Sequence, residues 1–579
     1  MTRWSISVRN GVLGSCAGLV AMGLLAAEGL GVNQVPTTLI DFFGPGTQPS
    51  TIVDRMETAG RCDSCHGGFN PQTEPFTRWA SSMMGRSLHD PLFQACMAIA
   101  EQDAAFSGDL CLRCHTPPGW LEGRSTPTDG SALVQSDFDG VSCHSCHRMV
   151  DPVYTAGNPA VDPAILAALG QVSTDPHSGH FVIDPLDRRR GPFDLGSFNK
   201  HNWLVSPFHT ESEMCATCHD VSNPVFVAQP DGTYALGALD APHPTHNKYD
   251  EFPVERTYSE WSMSAFAAGP IDMGGRFGGT QTLVSSCQDC HQPKTTGKAA
   301  KTGEIRTNLP QHDFNGGNTW LLKAIRAIYP DAETYLTAQS VDDSIARAVH
   351  MLELASDMAL AVEGPFVRVT ITNETGHKLP SGYPEGRRAW INVKFFDPEN
   401  ALIAERGHYD SATATLTTSD TKVYEAKLGP DAVVAGATGI PEGPSFHFAV
   451  ANKVYKDNRI PPRGFTNSGF SSVQAAPVGY AYPDGAYWDD TLYAIPVGAV
   501  RADVTFFYQT SSKEYIEFLR DANTSPSPHI GDTLYGLWAD PAIGNKSAPV
   551  VMDFASISFA PIPGGCDGDI NGDGFTNAG

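Results

Sequence analysis

Cys62-Asp63-Ser64-Cys65-His66, Cys111-Leu112-Arg113-Cys114-His115, Cys143-His144-Ser145-Cys146-His147, Cys215-Ala216-Thr217-Cys218-His219 and Cys287-Gln288-Asp289-Cys290-His291 write one pattern five times. Two thiols three positions apart share one side of a helical turn and can bond the two vinyl groups of a single porphyrin, while the imidazole that follows meets the iron. Each copy therefore reads as a clamp for one covalently attached c-type haem, which gives five haems c. The thioether positions are Cys62, Cys65, Cys111, Cys114, Cys143, Cys146, Cys215, Cys218, Cys287 and Cys290, and the iron ligands His66, His115, His147, His219 and His291. Structural zinc also uses Cys-x-x-Cys but needs two half-sites per ion, so an odd number of half-sites, each followed by His, fits it poorly.

Ten of the 13 cysteines lie in the clamps, leaving Cys16, Cys96 and Cys566, too few for a disulfide framework. With 579 residues, 41% of them apolar, the chain can build two or three packed domains. A formal charge of −25 disfavours nucleic acid and acidic membrane surfaces and favours basic partners. Arg3 and Arg9 followed by the nearly uncharged run from Gly11 to Ala27 read as a secretory signal over residues 1–27. Leu13-Gly14-Ser15-Cys16 resembles a lipoprotein box, but most of the apolar run follows the cysteine, so lipidation is not expected. The run is close to the ~17-residue lower limit of a membrane span, so membrane attachment is expected only if the signal stays as an anchor. Export to the periplasm or cell exterior agrees with the chemistry, because c-type haem is attached outside the bacterial cytoplasm.

The expected fold class is α+β and multidomain. After a linker at 28–49, residues 50–319 form a loop-rich, mainly helical pentahaem domain with so little chain per cofactor that porphyrins supply much of its core. Trp79-Ala80-Ser81-Ser82 and Trp261-Ser262-Met263-Ser264, upstream of Cys111 and Cys287, suggest a weak internal repeat. Connecting helices are expected over 320–362, with Leu321, Leu322, Ile325 and Ile328 on one face and, beyond Pro330, Ile345, Val349, Leu352, Leu354 and Leu360 on another. Residues 363–562 change to alternating or apolar runs at 367–373, 389–396, 401–406, 504–509 and 550–559, which predict an antiparallel β-sandwich containing a long loop at 429–485. The tail, 563–579, holds Cys566-Asp567-Gly568-Asp569-Ile570-Asn571-Gly572-Asp573-Gly574-Phe575-Thr576-Asn577, which spaces oxygen ligands like the first half of a dockerin-type calcium loop. Its twelfth position falls beyond Gly579, so strong calcium binding there is not expected.

The 19 histidines include fourteen outside the terminal clamp positions, and the sixth coordination sites depend on which of them face iron. His180, His201, His209, His312 and His377 are the candidate distal ligands, each also readable as a surface or structural histidine. His144 inside a clamp, His243 and His246 in a Pro-rich loop, and Met83-Met84 beside His89 are weaker candidates. His377 stands out because its loop, Asn373-Glu374-Thr375-Gly376-His377-Lys378-Leu379-Pro380-Ser381-Gly382, could carry an imidazole from the β-domain to a haem. No Gly-x-Ser-x-Gly, phosphate loop or dinucleotide fingerprint is present, so hydrolase and nucleotide chemistry have no support, and no catalytic residue is singled out.

Cys215-Ala216-Thr217-Cys218-His219-Asp220-Val221, Cys287-Gln288-Asp289-Cys290-His291, His312-Asp313-Phe314-Asn315-Gly316-Gly317-Asn318, Gly376-His377-Lys378-Leu379-Pro380-Ser381-Gly382, Asn458-Arg459-Ile460-Pro461-Pro462-Arg463-Gly464-Phe465 and Tyr508-Gln509-Thr510 carry a family likeness. On these the chain resembles the multihaem cytochromes c of the lineage of the ammonia-oxidiser tetrahaem cytochrome, pentahaem nitrite reductase and octahaem hydroxylamine oxidoreductase. It is more closely similar to exported multihaem cytochromes that add a C-terminal β-domain. The resemblance covers roughly residues 50–555. It implies mostly bis-histidine haems in electron-transfer contact, and it favours His312 and His377 as distal ligands. Two features depart from it: the nitrite-reductase active-site clamp ends in Lys, whereas all five here end in His, and Met83-Met84 stand where related chains often have His. The expected role is electron transfer with redox partner proteins, other cytochromes among them. The rival is a reductase or oxidase of small nitrogen or sulfur compounds at one open haem, with Arg188-Arg189-Arg190 in an anion funnel; a third view makes the β-domain a binding or attachment module.

Overall fold

The clamps sit on short helices or turns: Ala59–His66, Gly108–His115, Cys143–His147 and Cys287–His291, with the fourth running from Glu213–Ala216 through a turn to His219. The computed structural model describes residues 35–560 apart from 198–199 and 525–528, so the signal segment and the calcium-loop tail lie outside the described residues. Among the described residues, no helix is long and apolar enough to cross a membrane.

The two tryptophan segments do the same work. Trp79 Nε1 donates to the Val141 carbonyl at 2.8 Å, and Trp261 Nε1 donates to the Ser285 carbonyl at 2.8 Å. Each acceptor lies two residues before the first cysteine of a clamp helix, Cys143 or Cys287. The structure therefore relates Trp79 to the third clamp and not to the second, Cys111, which is nearer in sequence. A buried indole N–H must find an acceptor, and here that requirement fixes where the clamp helix begins.

Helix Leu321–Ile328 follows, then Ala338–Leu354, whose start is set by a capping box in which Thr337 Oγ1 accepts from Ser340 N–H at 3.1 Å and Ser340 Oγ from Thr337 N–H at 3.0 Å. Val341, Ser344, Ala348 and Leu352 recur at helical spacing on its buried face. The helix stops at Leu354. Leu360, expected on it, belongs instead to a strand, because Met358 and Leu360 follow the period of two that pairs Ser356–Glu363 with Phe366–Asn373 around a turn in which Gly364 adopts φ +58°.

The C-terminal part holds seven long strands: β1 Ser356–Glu363, β2 Phe366–Asn373, β3 Arg388–Phe396, β4 Leu402–Arg406, β5 Trp488–Ala494, β6 Arg501–Gln509 and β7 Val550–Ser558. One antiparallel sheet has the order β1-β2-β5, the other β4-β3-β6-β7, with Val423–Tyr424 also pairing β3. Val367, Val369 and Ile371 of the first sheet share a core with Ile391, Val393, Phe395, Val504 and Phe506 of the second. The segment 429–485, expected as a loop, contains helices Ala432–Thr438 and Asn467–Ser472 and the strand Lys453–Asp457, paired with Ala426–Gly429.

The two halves also share cores. Ala95, Cys96 and Ile99 pack with Tyr515, Leu519 and Trp538, and Phe226 and Phe252 pack with Val434 and Val450. Burial of this kind, ~25 cal/mol per Å² of apolar surface, ties the clamp-bearing half to the β half over a wide front.

Two carboxyls near that front are buried: Asp90 is pushed up to about 7 and Glu385 up to about 8, in both cases by loss of hydration. A carboxyl raised in the folded state contributes stability that is fully present below its unfolded value, about 4, and is lost as pH rises through 7 to 8. E385Q is accordingly expected to flatten the fall in thermal midpoint between pH 5 and pH 8, measured by calorimetry of the holoprotein; an unchanged slope contradicts this.

Candidate functional site

A single cavity with about 5210 Å³ of empty space, counting its mouths to solvent, runs through the clamp-bearing half and reaches β-half residues such as Tyr508 and Thr510. All five clamp histidines line it, and nine of the ten clamp cysteines, all but the exposed Cys65. No disulfide joins any two of the clamp cysteines.

Every clamp imidazole presents Nδ1 to an acceptor. His66 Nδ1 faces the Ala299 carbonyl at 2.7 Å, His115 the Ser87 carbonyl at 3.5 Å, His147 the Arg190 carbonyl at 2.6 Å and His291 the Asn315 carbonyl at 2.8 Å. His219 differs: its Nδ1 lies 3.5 Å from a carboxylate oxygen of Glu255. An Nδ1 facing an acceptor carries the proton, which leaves Nε2 as the lone-pair nitrogen that ligates metal. Burial also keeps the rings neutral, the form iron binds: it pushes His115 and His291 down to about 4. At His219 burial opposes charge, but Glu255 outweighs it and holds the imidazole above its ordinary value.

Two imidazoles on opposite faces of one iron place their ring centroids roughly 6 Å apart, two metal–nitrogen bonds plus two ring radii. His377 stands 6.3 Å from His291 with planes 16° apart, and its own Nδ1 faces the Lys378 carbonyl at 3.0 Å, so both rings turn Nε2 towards the space between them. His209 lies 5.8 Å from His147 at 16°, and His312 lies 6.2 Å from it at 26°. His209 donates from Nε2 to the Cys146 carbonyl at 3.0 Å. His312 is held down to about 3 by burial and then by His147 and His66, which puts it beside the first clamp as well as the third. His201 lines the same cavity, near His66.

His180 does not line the cavity. It packs behind the second clamp, 4.2 Å from His177 and next to Arg113. His177 and His243 there stand 3.6 and 3.8 Å from Glu251, and among the described residues no such group of side chains is arranged to hold a metal ion. His144 and Met83-Met84 line the cavity, whereas His89 is buried between Phe138 and Tyr329. Around His115 the stacked ring is Phe93, at 3.7 Å, and among the described residues no second histidine ring stands against His115 or His219.

Thiols of different clamps meet. Cys62 lies near Cys143, Cys114 near Cys218, and Cys146 and Cys287 near Cys215. The clamps therefore run first, third, fourth, with the second and fifth both joining the fourth. The residues present fit haem c: paired thiols, imidazoles with Nδ1 tied back, a mostly apolar hollow, and Arg387 on its wall as a counter-charge for carboxylate substituents, whereas Arg189 and Arg190, also on the wall, are already paired with Asp187 and with Asp162 and Asp184.

Sequence reasoning missed Glu255 and Glu260, since a carboxylate outside a motif carries no signal of its own. No protein-family profile matches the chain, and no curated protein matches it. Among solved structures, the chain is similar to a penta-haem cytochrome c552 from Thermochromatium tepidum, with 15% identity and a TM-score of 0.46 over 88% of this chain and 100% of that one.

A carboxylate on Nδ1 makes His219 a stronger donor than a carbonyl would, and a stronger donor favours oxidised iron. With haem held at the clamps, E255Q would raise the midpoint potential of the centre at His219 and leave the others in place, read by spectroelectrochemical titration; an unshifted titration contradicts the assignment of Glu255.

Proposed function

We propose that this chain is an exported multihaem c-type cytochrome that carries electrons between respiratory donors and a terminal acceptor or reductase. The observation that carries this reading is the set of five clamp histidines, each with Nδ1 tied back, around one continuous cavity. The group they would hold supplies a one-electron iron couple. The chain's own part is rigid spacing, exclusion of water and choice of the second imidazole. His377 would serve the fifth clamp, and the second imidazoles of the first and third would come from among His209, His312 and His201, with His209 offering Nδ1 because its Nε2 donates to the Cys146 carbonyl. The β half, read as a β-sandwich, brings His377 to the cytochrome half. Net charge −25 suits docking to basic patches on partner proteins such as other cytochromes, in the periplasm or at the cell exterior.

A second reading follows from the second and fourth clamps, where Phe93 and Glu255 are the observed neighbours of the histidine ring and, among the described residues, no second imidazole stands against it. One open iron there would make the protein a reductase or oxidase of small nitrogen or sulfur compounds.

Mass spectrometry of the mature protein from a host able to attach c-type haem is expected to show five added haem masses, and a folded product carrying none refutes the proposal. Electron paramagnetic resonance of the oxidised protein then separates the readings. Low-spin signals alone support the carrier, and a high-spin haem that binds nitrite or hydroxylamine supports the enzyme. H377A is expected to convert one low-spin haem to high-spin, and H209A and H312A one each.

A further inference from the structure

Helix Thr257–Ser262 touches both halves of the fifth clamp's surroundings. On one side Trp261 holds the Ser285 carbonyl, two residues before Cys287. On the other, Glu260, fully buried, reaches into the β half. Its Oε2 accepts from the Lys378 backbone N–H at 3.0 Å and from Ser381 Oγ at 2.8 Å, and its Oε1 meets the Arg459 guanidinium at 3.0 Å. Thr257 Oγ1 accepts from Gly382 N–H at 3.1 Å and pairs with Ser381 Oγ at 3.0 Å. Every one of these partners but Arg459 lies in the loop that carries His377. Gly376, one residue before it, packs so closely that a side-chain carbon there would come within 3.1 Å of the Trp261 ring.

The charges around Glu260 balance. Lys378 Nζ lies 2.7 Å from Asp457, and Arg459 spans Asp457 at 2.6 Å and Glu260 at 3.0 Å, giving two anions and two cations in a buried set. A buried set of this kind has its geometry fixed by mutual satisfaction, and removing one member strands the others. Three of its members come from the β half and one, Glu260, from the clamp-bearing half.

We propose that Glu260 is the positioning residue that sets His377 against the fifth clamp, so that one short helix locates both imidazoles of that site: His291 through Trp261, and His377 through Glu260 and Thr257. The proposal rests on His377 being the fifth clamp's second ligand. Glu260 itself does not touch the iron's surroundings; it acts through the loop.

The test uses the full-length holoprotein, with haem content counted by mass and spin state read by electron paramagnetic resonance. E260A is expected to keep all its haems but show one fewer low-spin centre than the wild type. E260Q, which retains an oxygen for the Lys378 N–H and Ser381, is expected to keep that centre low-spin. If H377A loses a low-spin centre and E260A does not, the positioning role is overturned. If H377A changes nothing, the ligand assignment itself fails, which is a separate outcome. Should E260A not accumulate, T257V decides: losing its hydrogen bonds to the loop is expected to speed cyanide binding at one haem about tenfold, and a wild-type rate overturns the proposal.

Discussion

An imidazole can offer the lone pair of Nε2 to a metal only while Nδ1 keeps its proton, which it does by donating that N–H to an acceptor, and the fold supplies an acceptor to all five clamp histidines. Ala299, Ser87, Arg190 and Asn315 each offer a main-chain oxygen from a segment distant in sequence from the histidine it serves, and Glu255 offers a carboxylate. A backbone carbonyl is placed only when its whole segment is placed. The turn at Ser87, the short strand Arg189–Gly191 and the His312–Asn318 segment are therefore each tied to a clamp histidine.

The same dependence joins the two halves. His377 comes from the loop between β2 and β3, and it lies against His291 where Glu260 and Thr257 grip that loop. Shared apolar packing between Cys96 and Tyr515, and between Phe252 and Val450, keeps the halves from moving apart.

What could be read in advance was what chemistry writes locally. The clamps are legible because thioether attachment fixes spacing within five residues. β2 and β6 are legible because one buried face imposes a period of two, and β3 because burial on both faces writes a nearly continuous apolar run. β5 escaped because its inward position Asp489 is acidic, satisfied by the hydroxyls of Tyr424 at 2.8 Å and Tyr480 at 2.6 Å, so the apolar alternation is broken. β1 escaped because Leu360 also fits a helical face. The second imidazoles are set by long-range packing: His209 and His312 stand equally near His147 in space, and His180 sits outside the cavity although its sequence setting is no less suggestive.

The meeting of thiols from different clamps bears on assembly. Cys62 with Cys143, Cys114 with Cys218 and Cys215 with Cys287 are brought together by the finished fold and by nothing in the local sequence. In an oxidising compartment, adjacent free thiols couple to each other. A chain that collapsed before its cysteines were consumed would cross-link one clamp to the next and shut out the groups meant for both. If the clamps take up porphyrin, attachment would compete with that coupling wherever the chain compacts first.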